Sequence, residues 1–331
     1  SSEETLVVER LTSAFTNCEK LQRHMNLLLK KGSLYKVHNN NLLYHGCIPL
    51  NEDGSFKAVD IYGKKYKGKA LYEVLEAYVR KAFVAIDENE KEKGKDILWF
   101  IWSSPGSPLF GKQKMATFER YFLAEKETHE EKKNPYYRLL EDETVINRIM
   151  REFGLEEGCA HIVNGHVPVH HAAGESPIKC NGKVLVIDGG FSKAYQKETG
   201  IAGYTLIYNS WGMILAAHEP FTSAEDAITR ETDILSDSIL VKRSMIRKTV
   251  EDTDNGRKLK ENIEDGIEYD PEKDKKILSE EEVVAEDDLA DGYTSEDADS
   301  DVLLDDEETD ECDELFEDLG DDGEDAIFDE E

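Results

Sequence analysis

The sequence predicts an α/β fold followed by a disordered acidic tail, and three observations carry that prediction. Segments with helical spacing of apolar residues alternate with short apolar runs that end in turn-forming residues. The runs crowd between residues 161 and 217, where four candidate strands follow one another. The charge is also divided: residues 261–331 hold 35 acidic and 3 basic side chains, which accounts for the whole net charge of −32. Residues 1–260 carry 37 of each sign, so the body has no bias toward nucleic acid or an acidic surface.

Residues 3–31 read as one helix. Leu6, Phe15, Leu21, Met25, Leu28 and Leu29 recur near helical spacing, and Gly32 supplies a stop. Strands follow at 33–38 and 41–45, parted by the turn-prone Asn39-Asn40, and a polar turn covers 51–54. A long helix is predicted over 68–86, with Leu71, Val74, Leu75, Tyr78, Val79, Phe83 and Ile86 on one broad face. Residues 87–96 read as a charged loop, 98–102 (Leu-Trp-Phe-Ile-Trp) as a buried strand, and 103–108 as a loop of breakers. Helices are predicted at 112–123 and 143–153, and strands at 161–163, 184–187, 205–208 and 213–217. The last two strands flank Asn209-Ser210-Trp211-Gly212, which reads as a tight hairpin.

From about residue 265 the acids are broken only by Ser, Gly and scattered apolar residues. Such a segment buries too little surface to offset its ordering entropy and self-repulsion, so residues 265–331 are expected to be disordered. Two stretches imitate a calcium loop and fail. Val302 stands where the turn after Asp297, Asp299 and Asp301 demands glycine, and Gly256 comes one position early after Asp252 and Asp254. Five cysteines, an odd count without a C-x-x-C pair, point to the reducing cytoplasm. Cys47, two residues from His45, is a weak candidate for a soft metal ligand. No apolar run is long enough to span a bilayer, and no membrane partner is expected.

Two histidines carry the chemical signal. Leu42-Leu43-Tyr44 runs into His45-Gly46, and Ile162-Val163 runs into Asn164-Gly165-His166-Val167. In each case an apolar strand delivers an imidazole with glycine beside it, where the backbone turns sharply and leaves room for a ligand. Imidazole is the commonest protein metal ligand, so the pair predicts a metal site built across strand ends. Asp188-Gly189-Gly190 reads as another strand end entering a tight turn, with Asp188 at most supporting a ligand. His161 is expected to be packed, and His170-His171 to face solvent. His218, just past the 213–217 strand, is a candidate to orient a ligand by hydrogen bonding.

The segments His45-Gly46-Cys47-Ile48-Pro49 and Asn164-Gly165-His166-Val167-Pro168 resemble the two C-terminal histidine motifs of the calcineurin-like metallophosphoesterases. The wider text is similar to one branch, the bacterial class III fructose-1,6-bisphosphatases. Residues 19–24, 32–35, 107–112, 115–122, 174–179, 187–191 and 203–221 share in the resemblance, which spans roughly residues 5–265. The family's Asp-x-His, Gly-Asp-x-x-Asp-Arg-Gly and Gly-Asn-His-Glu motifs do not occur here, so the sequence resembles the C-terminal half of a longer enzyme.

The resemblance implies a layered metallophosphoesterase-like α/β fold with flanking helices and with the N-terminal half of the catalytic fold absent. Residues 1–40 would form a helical segment leading into that fold. Residues 41–264 would be the C-terminal half of the metallophosphatase domain, with a helical insertion at about 64–155. His45 and His166 would ligate a divalent metal, manganese by expectation, while Asn164 and Gly165 shape the loop presenting His166. The reaction implied is hydrolysis of fructose 1,6-bisphosphate to fructose 6-phosphate and phosphate, a gluconeogenic step. A bisphosphate needs cations away from the metals, and Lys112, Lys114 and Arg120 are the candidates. With only two ligands the chain is expected to be inactive alone, and a separate N-terminal half or an oligomer partner is implied. The alternative is a non-catalytic binding module with a decayed metal site and an acidic tail that recruits basic partners.

Overall fold

Three short apolar runs, each ending in a polar turn, form the parallel centre of a five-stranded sheet. The computed structural model describes residues 2–156, 158–188, 196, 199–220, 223, 225, 228–229 and 236–264. The predicted tail, Cys312 and Gly189-Gly190 lie outside the described residues. The central strands are β2 (Asn41–Tyr44), β5 (His161–Asn164) and β7 (Val184–Val186), in the spatial order β1-β2-β5-β7-β6. The edges are β1 (Tyr35–His38), antiparallel to β2, and β6 (Ile178–Lys179), antiparallel to β7. Leu42 pairs with Ile162 and Ile162 with Val184, so the strand ends fall level. All of β5 and β7 is buried, as expected for strands covered on both faces.

The connection from β2 to β5 is long, as a parallel pair requires. It holds a hairpin of β3 (Val59–Ile61) and β4 (Lys64–Tyr66), then α3 (Lys69–Val84), α4 (Glu88–Ser103), α5 (Thr117–Phe122), α6 (Pro135–Arg138) and α7 (Glu143–Glu152). Helix α7 starts under an Asp142 cap that accepts the Thr144 and Val145 amides. It buries Val145, Ile146, Ile149 and Met150 in one core with Leu42, Ile162, Val184 and Tyr72. On the other face Val163 and Leu185 cluster with Met213. Met213 belongs to an antiparallel sheet of β8 (Gly203–Asn209), β9 (Gly212–His218) and β10 (Ser236–Arg243), ordered β10-β9-β8. The expected hairpin forms there, with Asn209 opposite Gly212 and Ser210-Trp211 at the tip.

Several expectations are corrected. Residues 87–96 and 98–102, expected as a loop and a buried strand, are one helix, α4. Asp87 caps it by accepting the Glu90 amide, and Ile97 and Ile101 are buried four residues apart while Leu98, Trp99 and Trp102 stay exposed. A short apolar run carries no period of its own, and the cap decides its state. The expected 3–31 helix is two, α1 (Ser2–Asn17) and α2 (Glu19–Lys31), parted at an extended Cys18. Thr12 and Thr16 bond back to carbonyls four residues earlier, and Gln22 reaches the Thr16 carbonyl. The helix expected over 112–123 shrinks to 117–122, because Lys112 pairs as an extended bridge with Lys133. A final helix, α8 (Asp254–Glu264), is anchored where the Asn39 amide donates to Asp254.

Helices α3 and α4 touch closely around a small core of Leu71, Leu75, Ile97 and Ile101. A Cβ on Gly94 would stand 1.9 Å from the Ala82 Cβ, so the crossing is set by the missing side chain. Gly94→Leu is expected to cost about 2–3 kcal/mol through overpacking, measured by urea unfolding, despite its better helix propensity.

Candidate functional site

The parallel strands end side by side, and their ends build the site. His45 follows β2, Gly165-His166 follows β5, and Asp188 lies two residues beyond β7. The ladder continues past the strands: the Gly165 amide donates to the His45 carbonyl at 2.9 Å and Ile187 to Asn164 at 2.9 Å. Carboxyl ends of parallel strands are where open α/β sheets place their ligands.

A loop from α4 clamps both motifs. Ser107, fully buried, donates its hydroxyl to the Ile101 carbonyl at 2.5 Å and accepts the Leu109 and Phe110 amides at 3.1 and 3.3 Å. That turn sets the Pro108 carbonyl on the Cys47 amide at 2.8 Å and the Phe110 carbonyl 3.1 Å from His166 Nε2. A Cβ on Gly46 would meet the Pro108 oxygen at 2.3 Å, so only glycine lets the loop close this far.

The two imidazoles converge. His45 Nε2 lies 3.2 Å from His166 Nδ1, with ring centroids 5.1 Å apart and planes at 75°. A carbonyl can only accept, so the Phe110 contact assigns the hydrogen to His166 Nε2 and leaves a lone pair on Nδ1, facing His45. His166 holds a left-handed backbone, φ 70°, which histidine tolerates better than most side chains. Its pKa lies below the ordinary imidazole value, chiefly through burial, with repulsion from His45 and Lys112 added. The Phe110 carbonyl and Asp188 pull the other way. The ring is therefore neutral at pH 7, the form that ligates metal.

The donor set fits a divalent ion in part. Two nitrogens each about 2.0–2.1 Å from one ion sit roughly 3 Å apart, as these do. Imidazole nitrogen suits several first-row divalent metals. No group of three or more His, Cys, Asp or Glu side chains able to hold a metal occurs among the described residues. A cleft of about 580 Å³ opens beside the pair, with His45, Asp188, Lys36 and the apolar Leu43, Val163 and Ile187 on its walls.

Of the other candidates, Asn164 and Gly165 belong to the histidine loops. Asn164 is 2 % exposed and donates to the Gly46 carbonyl at 3.3 Å, tying the two motifs together, while its Oδ1 is buried without a partner. Gly165 sits against Asp188, whose Oδ2 lies 3.6 Å from where a Cβ would stand. Lys112 and Arg120 both face Glu131, at 2.5 and 3.7 Å, and Lys114 donates to the Thr128 carbonyl. Glu131 also accepts the Ala116 amide, so two of the three cations expected for a phosphate, Lys112 and Arg120, already share a carboxylate. His218 bonds Thr205 Oγ1 across β8 and β9 at 2.7 Å and makes no described hydrogen bond to His45 or His166. Cys47 is buried and its thiol is pushed up to about 12 by burial, which keeps it protonated and unsuited to a metal. The sequence marks Asp188 as a strand-end residue at most supporting a ligand, and it does not mark the Phe110 carbonyl. A carbonyl leaves no letter in the sequence, whereas the strand-end pattern before Asp188 repeats that of both histidines.

A family model described as Firmicute fructose-1,6-bisphosphatase matches residues 1–268. Among curated proteins, the chain is 57 % identical over 264 residues to fructose-1,6-bisphosphatase class 3 of Clostridioides difficile, covering 80 % of this chain and 40 % of that one. It is 56 % identical over 262 residues to the protein of that name from Clostridium acetobutylicum, covering 79 % and 39 %. The Listeria monocytogenes protein is 54 % identical over 260 residues, covering 78 % and 40 %. The chain thus spans about 40 % of the length of these curated relatives. No solved structure matches.

Proposed function

Because the chain belongs to the Firmicute fructose-1,6-bisphosphatase family, we propose that it supplies two imidazole ligands to a divalent metal centre that hydrolyses fructose 1,6-bisphosphate to fructose 6-phosphate and phosphate. The observation that carries the reading is the 3.2 Å approach of His45 Nε2 to His166 Nδ1 at parallel strand ends. Residues 1–40 lead into the catalytic fold. Residues 41–264 form the C-terminal half of a layered metallophosphatase domain, with 64–155 as a helical insertion, and residues 265–331 are an acidic appendage.

His45 and His166 would hold the metal, manganese in this reading, whose chemistry would be to make bound water more acidic and to draw charge from phosphoryl oxygens. The chain's own part is positional. Phe110 fixes the His166 tautomer, Asn164 joins the two histidine loops, and the clamp at Ser107–Gly111 holds both rings. Two imidazoles alone hold such an ion weakly, so carboxylates from another polypeptide segment or subunit complete the site. The same reading assigns the chain to the cytoplasm. No helix among the described residues is long and apolar enough to cross a membrane.

Co-production with a polypeptide carrying the remaining length of a relative tests this. With Mn2+, the assembled pair is expected to release phosphate from fructose 1,6-bisphosphate and the chain alone to release none. Brisk turnover by the chain alone would refute the shared site, and an assembled but inert pair would refute the activity.

A further inference from the structure

Among the described residues the exposed His45 imidazole makes one hydrogen-bond contact, to His166, so its place is set by the backbone beneath it. Residues 45–47 belong to no helix or strand, and their carbonyls are met one by one. The Gly165 amide donates to His45 at 2.9 Å, Asn164 Nδ2 to Gly46 at 3.3 Å, and the Tyr72 hydroxyl to Cys47 at 2.8 Å. The first two donors belong to the His166 loop itself. Tyr72 does not: it stands on α3, in the connection between β2 and β5. Among the described residues no second hydrogen bond reaches the Cys47 carbonyl. A buried carbonyl stripped of its donor stays unpaired or moves to find another.

Helix α3 is itself firmly held. The amide of Lys69, its first residue, donates to Glu152 of α7 at 3.2 Å, and Glu76 accepts the Leu34 amide at 3.0 Å. Arg80 donates to the Leu29 and Gly32 carbonyls at the end of α2. Leu71 and Leu75 pack with Ile97 and Ile101 of α4, and α4 leads into the clamp that meets His166 through Phe110. Tyr72 joins the main core instead, 1 % exposed, with Tyr44, Tyr35 and Phe153 edge-on at 6.2, 5.7 and 5.9 Å between ring centroids. One helix pair therefore reaches both metal loops, the His45 turn through Tyr72 and the His166 ring through Phe110. We propose that Tyr72 is a positioning residue, whose hydroxyl fixes the Cys47 carbonyl and so keeps His45 Nε2 in place to share an ion with His166. The proposal deepens the function proposed above and rests on it.

Tyr72→Phe tests this, because it keeps the packed ring and removes only the donor. Ile149→Val, in the same core, loses a methyl group and no hydrogen bond, and controls for lost stability. Paramagnetic resonance titration is expected to show about tenfold weaker Mn2+ binding in Tyr72→Phe and a change below about twofold in Ile149→Val. In the metal-free chains the ring-nitrogen resonances of His45 and His166 should shift in Tyr72→Phe and stay in place in Ile149→Val. Urea unfolding sets both variants on one stability scale. Mn2+ affinity kept within about twofold in Tyr72→Phe, equal weakening in both variants, or unmoved nitrogen resonances would overturn the proposal. His45→Ala separates the two readings. If it loses the ion while Tyr72→Phe keeps it, only the role of Tyr72 fails; if it keeps the ion as well, the metal site fails too.

Discussion

His166→Ala is expected to lower Mn2+ affinity of the chain by at least about 100-fold, since partners beyond the ligands alone are worth 10–100-fold at such sites. His45→Ala should do the same, and the double substitution should add little, because one imidazole cannot hold the ion that two share. The geometry makes the case specific. His166 Nδ1 faces His45 Nε2 because the Phe110 carbonyl occupies the opposite nitrogen. Ser107→Ala removes the hydroxyl that shapes the clamp but no ligand, so its loss should be smaller, about tenfold. Paramagnetic resonance titration of Mn2+ reads all four variants. Retention of affinity within a factor of about three in either single histidine variant would exclude a shared ion.

What the sequence made visible was whatever leaves a period or a letter. The 143–153 helix and the 209–212 hairpin are legible because their apolar positions recur at fixed intervals, and the structure forms both. Residues 98–102 were not, because five consecutive apolar letters fit a strand as well as a helix. The Asp87 cap and the buried spacing of Ile97 and Ile101 together separate the two states. The β3–β4 hairpin and β10 escaped because Lys64-Lys65-Tyr66 is polar and the apolar run of β10, Ile239-Leu240-Val241, is only three residues long, so neighbours decide their pairing. At the site, the convergence of His45 and His166 across 121 residues follows from strand ends that the sequence marks with His-Gly and Gly-His. The engagement of Lys112 and Arg120 by Glu131 does not, since a partner about 11 to 19 residues away on an irregular segment obeys no spacing rule. Nor does the clamp, which works through the carbonyls of Pro108 and Phe110.

Acidification should unfold the chain partly through His161. This residue opens β5, is 7 % exposed, and has Nδ1 3.2 Å from Asn41 Oδ1. Burial pushes its pKa down to about 4, with repulsion from Lys242 and Lys248 added. In the unfolded chain the ring titrates near 6.5. Between those values the unfolded state binds the proton and the native state does not, so stability falls as pH drops through 6.5 and the loss is complete near 4. At 1.36 kcal/mol per pH unit the loss is capped at roughly 3 kcal/mol, of which about 2 kcal/mol appears between pH 7.5 and 5. His166, also depressed by burial, acts in the same direction, so the difference between variants isolates the term. His161→Gln keeps a polar group toward Asn41 and cannot take up the proton. It should therefore flatten the urea-unfolding profile over that window while leaving Mn2+ binding unchanged, because His161 lies at the opposite end of β5 from His166. An unchanged pH slope in that variant would show that the imidazole is already solvated in the native sheet.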